Sequence, residues 1–506
     1  MIEPAVTIPT VPTIESLVSA SPLLGLPGAV QSDGIDTGVA AHYGNPMIEQ
    51  RSLVAGRAIV DLSHHGVLGV LGPDRLTWLN SIASQELRSL AAGESTEMLL
   101  LDPMGRLEFA IRVLDDGVET WLLVEASELP ALQIFLDRMK FTLRVQIVDH
   151  TLAYATIGAM TDAPATVGLT AANPNDVPLI WRDPWRAVAR GGYQYAETAE
   201  HPGSLWTYSE TLIPRASLPA LRDALAAKEL SASGPSPASG PSPASGPSPA
   251  SGPSPASGPS PASGPSPASG PSPASGPASA LAPASASGHA RVSAPDSAPD
   301  SASGSASGPE SASASASIPG FSSAPASASA SRPAVSPAGV LALEALRIAS
   351  WRPRRAREVD EKTIPHELDW MRTAVHLNKG CYRGQETVAK VHNLGHPPRR
   401  LVMLHLDGSE GVLPAPGDPV QADRIRPGAE PERVNIGSIT SSAIHYELGP
   451  IALAVIKRNI PAASTLYVQS EDVSISASQE IIVPQSAGSV ADIPRLPRLG
   501  IRTPGR

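Results

Sequence analysis

Apolar residues return along this chain in distinct rhythms, and each rhythm predicts a different element. Over Arg75-Leu76-Thr77-Trp78-Leu79-Asn80-Ser81-Ile82 they recur every three or four positions, the spacing of one face of an amphipathic helix. Leu107 to Leu114 alternates apolar with polar, the period of a half-buried strand, and Met98-Leu99-Leu100-Leu101-Asp102 before it is a second strand. Pro103-Met104-Gly105-Arg106 between them is turn chemistry, so the pair reads as a hairpin. Thr120-Trp121-Leu122-Leu123-Val124 predicts a further strand, Ser127 is placed to cap a helix over 128–139, and Leu143 to Val148 predicts another strand. Elements in this order predict an α+β domain with a mostly antiparallel sheet. Val340 to Trp351, with Leu343, Leu346 and Ile348, predicts a later helix. Residues 396–480 hold only short Val- and Ile-rich runs split by Gly, Pro and Asp, such as Leu401 to Leu406, which predicts a small antiparallel β-barrel.

That patterning stops in the middle. From Ser231 the composition collapses to Gly, Pro, Ser and Ala, and Gly-Pro-Ser-Pro-Ala-Ser repeats unbroken from Gly234 to Ser275. Nothing there buries enough apolar surface to offset the entropy of ordering it, so 231–336 is expected to be a disordered, semi-extended insert. Loop-closure entropy grows only logarithmically with length, so the insertion costs the fold little. The proline-dotted stretches 1–40 and 481–506 read as flexible tails. Roughly 335 residues remain, enough for two or three compact domains. They divide as 41–230 and 337–395, two parts of one interrupted unit, and 396–480.

Charge and composition narrow the classes. A net charge of −10 gives no broad basic face, so no direct nucleic-acid partner is expected. No apolar run approaches the roughly 18–20 residues that cross a bilayer, so no membrane partner is expected either. Met1-Ile2-Glu3-Pro4 lacks the basic region and cleavage site of a signal peptide, and the expectation is a soluble cytoplasmic protein. A single cysteine excludes an intrachain disulfide.

That cysteine, Cys381, lies in Lys379-Gly380-Cys381-Tyr382-Arg383-Gly384-Gln385-Glu386-Thr387. Residues 385–391 read as a helix, which puts the thiol just before a helix N-terminus and between two cations, both of which favour thiolate. Glycines on either side permit positive φ and a close approach to the backbone. Residue type alone leaves a second reading open, a buried structural thiol. The histidines His42, His64, His65, His366, His376 and His392 are scattered without metal-site spacing.

This nonapeptide resembles the signature of the YgfZ-type folate-binding proteins, relatives of the aminomethyltransferase (T-protein) of the glycine cleavage system. His42-Tyr43-Gly44, Val60-Asp61-Leu62-Ser63-His64 and Gly72-Pro73-Asp74-Arg75 resemble the opening of that superfamily. Pro397 to Val402 and Gly449 to Ala454 resemble its last domain. The resemblance implies a T-protein-like α+β core with antiparallel sheets and a C-terminal β-barrel. It implies tetrahydrofolate, or another reduced folate, as the cofactor. Lys379, Tyr382, Arg383, Gln385 and Arg347 are the folate-site candidates, Arg347 matching the arginine of a Leu-Arg-Leu-Glu-like element; Arg399 and Arg400 are further cations. It further implies support of iron–sulfur cluster assembly or repair, and so of the iron–sulfur enzymes that modify transfer RNA. Cys381 would be the key residue, and iron–sulfur carrier or client proteins the partners.

The departures bear on turnover. Gly105 to Ala110 has no aspartate where the T-protein hairpin carries its catalytic one, although Glu108 is acidic. Arg190-Gly191-Gly192-Tyr193 lacks the threonine and glutamate of the pterin-gripping element, and Ala349 replaces a glutamate. The expectation is a retained scaffold with lost aminomethyl transfer. Two alternatives stand beside it: a folate-dependent one-carbon transferase using Glu108 or Asp102 as base, and an interaction module with a packed Cys381. Cys381 is expected to border a pocket between the N-terminal domain and the segment after the insert, with Lys379 or Arg383 at its mouth.

Overall fold

Alternation along each strand decides which core it serves, and two five-stranded sheets and a barrel result. The computed structural model describes residues 20–228, 334–409, 411–424 and 430–491. The first sheet runs in the order Ser95–Leu101, Leu107–Asp115, Glu119–Val124, Gly66–Leu71, Gln146–Asp149, antiparallel throughout. The four strands read from the sequence are all present in it. The fifth, Gly66–Leu71, is buried along almost its whole length, so it lacks the alternation that betrays a half-exposed strand. The helices Arg75–Ile82 and Leu129–Met139 cover one face of this sheet and close a core around Trp78, Leu79, Leu122 and Leu136. Ser127 does not cap the second helix; it lies within a short 3-10 turn, Ala126–Glu128, that leads into it.

The second sheet runs Ile180–Arg182, Ser209–Pro214, Tyr154–Ala159, Ala58–Asp61, Ser336–Ala338, with only the last pair parallel. The strand after the insert thus returns to the edge of a sheet begun before it. Six antiparallel strands between Arg399 and Ile481 close into a barrel. Along Arg399–Leu406, Val402, Leu404 and Leu406 fill the barrel, whereas Leu401 and Met403 face the main core. The helix Val340–Ala349 packs its small residues Ala342 and Ala345 into that same core.

Three boundaries move. Leu23 and Leu26 are core residues, so the chain is folded well before residue 41. Ile482, Val483 and Ala487 join the main core beyond residue 480, and the edge strand begins at Ser336, inside the expected insert. Burial of a few aliphatic side chains is enough to pin such segments, and proline counting does not see it. Val335 is a core residue too, and residues 231–333 of the insert lie outside the described residues.

Candidate folate site and signature loop

A half-open cavity of about 100 Å³ lies in the main core. Its apolar walls are Leu62, Trp181, Trp206, Tyr208, Leu343 and Trp370. Its polar walls are ion pairs. Arg352 holds Glu97 at 2.6 Å and Asp183 at 3.0 Å, and Arg354 holds Asp36 and Glu125, each at 2.7 Å. Arg112 holds Glu210 at 2.7 Å. Buried charges survive only when paired, and desolvation opposes every one of them. Burial pushes Asp36 and Glu125 up, but the Arg354 guanidinium outweighs it and holds both well below the carboxylate range. Glu210 moves the other way: burial raises it more than Arg112 lowers it.

Strand geometry brings Arg112 here. Ala110 and Arg112 face the cavity while Phe109 and Val113 face the other core. At the near end of the strand Leu100 pairs with Phe109 and Leu101 with Leu107, so Glu108 is the extra residue of a β-bulge with no opposite partner. Its carboxylate meets Arg383 at 2.8 Å instead of entering the cavity. Asp102 is consumed by its own turn, accepting the backbone N–H of Met104 and of Arg106, both at 2.8 Å.

Hydrogen bonding separates the arginines. Arg347 lines the cavity, yet all five of its donors are engaged, with Glu344, Glu358, the Arg352 carbonyl and Ser441. Arg352 commits Nε and Nη2 to carboxylates and leaves Nη1 buried without a partner. Glu210 Oε1 accepts from Arg112 and Tyr208, whereas Oε2 is buried and unpartnered. His65 Nδ1 accepts from Arg112 at 3.3 Å, which leaves the proton on Nε2, also without a hydrogen bond. Burial and the neighbouring cations hold that imidazole neutral, well below its ordinary range. His65 Nε2 faces a Glu125 carboxylate oxygen at 3.7 Å, so the wall offers one free acceptor, Glu210 Oε2, and one free donor, Arg352 Nη1.

Asp36, His64 and His65 also place three metal-type ligands within 4.8 Å of one another. Arg354 donates to both oxygens of Asp36, so a cation already fills that corner.

The signature lies elsewhere. Gly384, at φ +84°, opens the helix Gln385–Leu394 and packs on the hairpin tip, where a Cβ would come within 2.6 Å of the Asp102 carbonyl. Gly105, at φ +77°, answers from the hairpin, where a Cβ would strike Thr387. Lys379 turns inward and is buried, and that burial lowers its pKa to about 8. Tyr382 is buried beside it, and Gln385 Nε2 donates to the Lys379 carbonyl at 3.3 Å. Cys381 is exposed, which removes the reading of a packed thiol. The expectation that it borders the cavity is not met. Of the six site residues named from sequence, the cavity lining takes only Arg347; Lys379, Cys381, Tyr382, Arg383 and Gln385 lie in the signature loop, where Arg383 meets the hairpin through Glu108 and Lys379 meets the end of the helix Arg75–Ile82. Arg399 pairs with Asp360 and Glu367, and Arg400 is buried among barrel residues, donating to Ile460 and Gln479.

Sequence reasoning missed Asp36, Arg112, Glu210 and Arg352. The available signal was an arginine set between aliphatic residues of a strand, as Arg112 is between Ile111 and Val113; Glu210, between Ser209 and Thr211, carries no such signal.

No family profile matches the chain. A chloroplast protein of Arabidopsis thaliana, named as a transferase, is 28% identical over 164 residues. The match covers 32% of this chain and 32% of that protein, so the chain spans about a third of the length of the curated relative it matches. Heterotetrameric sarcosine oxidase from Corynebacterium sp. U-96 aligns with 36% of this chain at 14% identity and a TM-score of 0.19, too low to bear on the fold. Aminomethyltransferase T of the glycine cleavage system from Bartonella henselae superposes with a TM-score of 0.52 at 13% identity, over 92% of this chain and 94% of that one. The chain has the T-protein fold: mixed α+β, antiparallel sheets and a six-stranded C-terminal barrel.

Proposed function

We propose that the cavity binds a reduced folate, tetrahydrofolate foremost, and that the protein assists iron–sulfur cluster assembly or repair with Cys381 as its working residue. The observation that carries the folate half is the pair of orphaned atoms, Glu210 Oε2 and Arg352 Nη1, in a cavity walled by tryptophans. A pterin presents adjacent ring N–H and amino donors beside a carbonyl acceptor on one flat ring. Such an edge would suit a buried carboxylate oxygen and a spare guanidinium N–H, and Trp181, Trp206 and Trp370 would supply apolar walls for the ring. Leaving those atoms unmet costs about 1–3 kcal/mol each, which favours a ligand that meets them. When bound, the folate supplies a one-carbon carrier; the residues around it bind, orient and exclude water.

The iron–sulfur half rests on the signature's resemblance, on the exposed thiol as a soft ligand, and on the absence of a transferase base at the hairpin. Glu108 is paired to Arg383, and Asp102 to its turn, so the one-carbon transferase reading gains no support from either. Client or carrier proteins would then meet the chain at the signature loop. Among the described residues no helix is long and apolar enough to cross a membrane.

Titration calorimetry with tetrahydrofolate should show one site per chain, and an assay with an aminomethylated lipoyl carrier should show no turnover. Cells lacking the protein should regain iron–sulfur enzyme activity with the wild type and fail to with Cys381→Ser. Robust aminomethyl turnover would return the case to the transferase, and full rescue by Cys381→Ser to an interaction module in which the exposed thiol plays no part.

A further inference from the structure

Gly380 and Cys381 form the exposed tip of the signature, and the residues on either side of that tip are buried. A Cβ at Gly380 would meet nothing within 4 Å among the described residues, so that side of the tip faces open space. What fixes the tip is what holds Lys379 and Tyr382. The Lys379 ammonium enters a cradle of backbone carbonyls where the helix Arg75–Ile82 ends. It donates to Asn80 at 2.7 Å, Ala83 at 2.6 Å and Gln85 at 2.7 Å. Carbonyls at a helix C-terminus lack intrahelical partners and carry the negative end of the dipole, so a cation is the group they select. Three bonds use all three N–H groups, leaving no donor for a ligand. The same ammonium lies 5.2 Å from the Tyr382 ring centroid, so the two anchors of the tip also touch each other.

We propose that Lys379 is the positioning residue of Cys381: it fixes the thiol-bearing tip through the loop backbone and is not a ligand of the folate cavity. The importance of the thiol itself rests on the function proposed above; the anchoring does not. The low Lys379 pKa, about 8 through burial, gives the anchor a titration that can be read, because the neutral amine keeps only two N–H groups for three carbonyls.

Because Cys381 is the sole cysteine, a thiol-reactive nitroxide reports on this tip alone. In the full chain at neutral pH its resonance spectrum should show restricted motion. Lys379→Met should convert it to a fast-motion spectrum while tetrahydrofolate affinity stays within about twofold. An unchanged spectrum, or an affinity loss of about tenfold or more, would overturn the proposal, the second by making Lys379 a ligand. If Lys379→Met does not fold, the wild type decides. Its label should loosen as pH rises through about 8, whereas Lys379→Arg should stay flat, and a flat wild type overturns the anchor. Failure of the wild type to bind tetrahydrofolate would sink the folate reading alone and leave the label result standing.

Discussion

The cavity and the signature loop handle charge in opposite ways. Around the cavity, Arg112, Arg352 and Arg354 and their carboxylates come from distant parts of the chain, and each is buried against its opposite. In the loop, Lys379 is satisfied by backbone alone and Arg383 by a half-exposed glutamate, and the thiol between them faces solvent. The lesson is a division of labour. A rigid, charge-balanced wall suits recognition of a small ligand, whereas a short tip on buried anchors suits contact with something large. Two arginines sharpen the point: Arg347 and Arg352 line one cavity, yet only Arg352 has a donor to spare.

The comparison breaks most readily at Arg352. Arg352→Met should destabilise the protein by about 3–5 kcal/mol, because Glu97 and Asp183 then remain buried without their cation. Denaturant unfolding at neutral pH measures this. A loss below about 1 kcal/mol would mean that the wall is wetter and less coupled than its geometry indicates.

Legibility in the sequence followed contiguity. The hairpin, the two helices over it and the barrel were readable because their patterns are local and strongly periodic. The signature was readable because its residues are neighbours in the chain. Glu210, Arg352 and Asp36 were not, since each acquires meaning only when segments far apart in sequence meet around one cavity. Lys379 was identified as a candidate cation for a ligand, and its ammonium donates to three backbone carbonyls. A lysine beside a glycine reads as a cation for a ligand, and nothing local says that a helix end will take it. The bulge that turns Glu108 toward Arg383 is equally invisible without the partner strand.

A smaller effect should appear on acidification. Arg354 holds Asp36 and Glu125 below their ordinary values of 3.8 and 4.5, so their contribution is present above those values. It is lost as pH falls below them, because the unfolded chain takes up protons first. Unfolding free energy should therefore decline as pH drops from 5 toward 3, and Asp36→Asn should shallow that decline. A slope unchanged by Asp36→Asn would place the acid-sensitive groups outside the cavity.

The most direct test of the division is a paired titration. Tetrahydrofolate affinity should fall about tenfold or more in Glu210→Gln, which replaces the one free carboxylate acceptor in the wall, and stay within about twofold in Cys381→Ser. The opposite pattern, with Glu210→Gln indifferent and Cys381→Ser impaired, would place the folate at the signature loop and contradict the account.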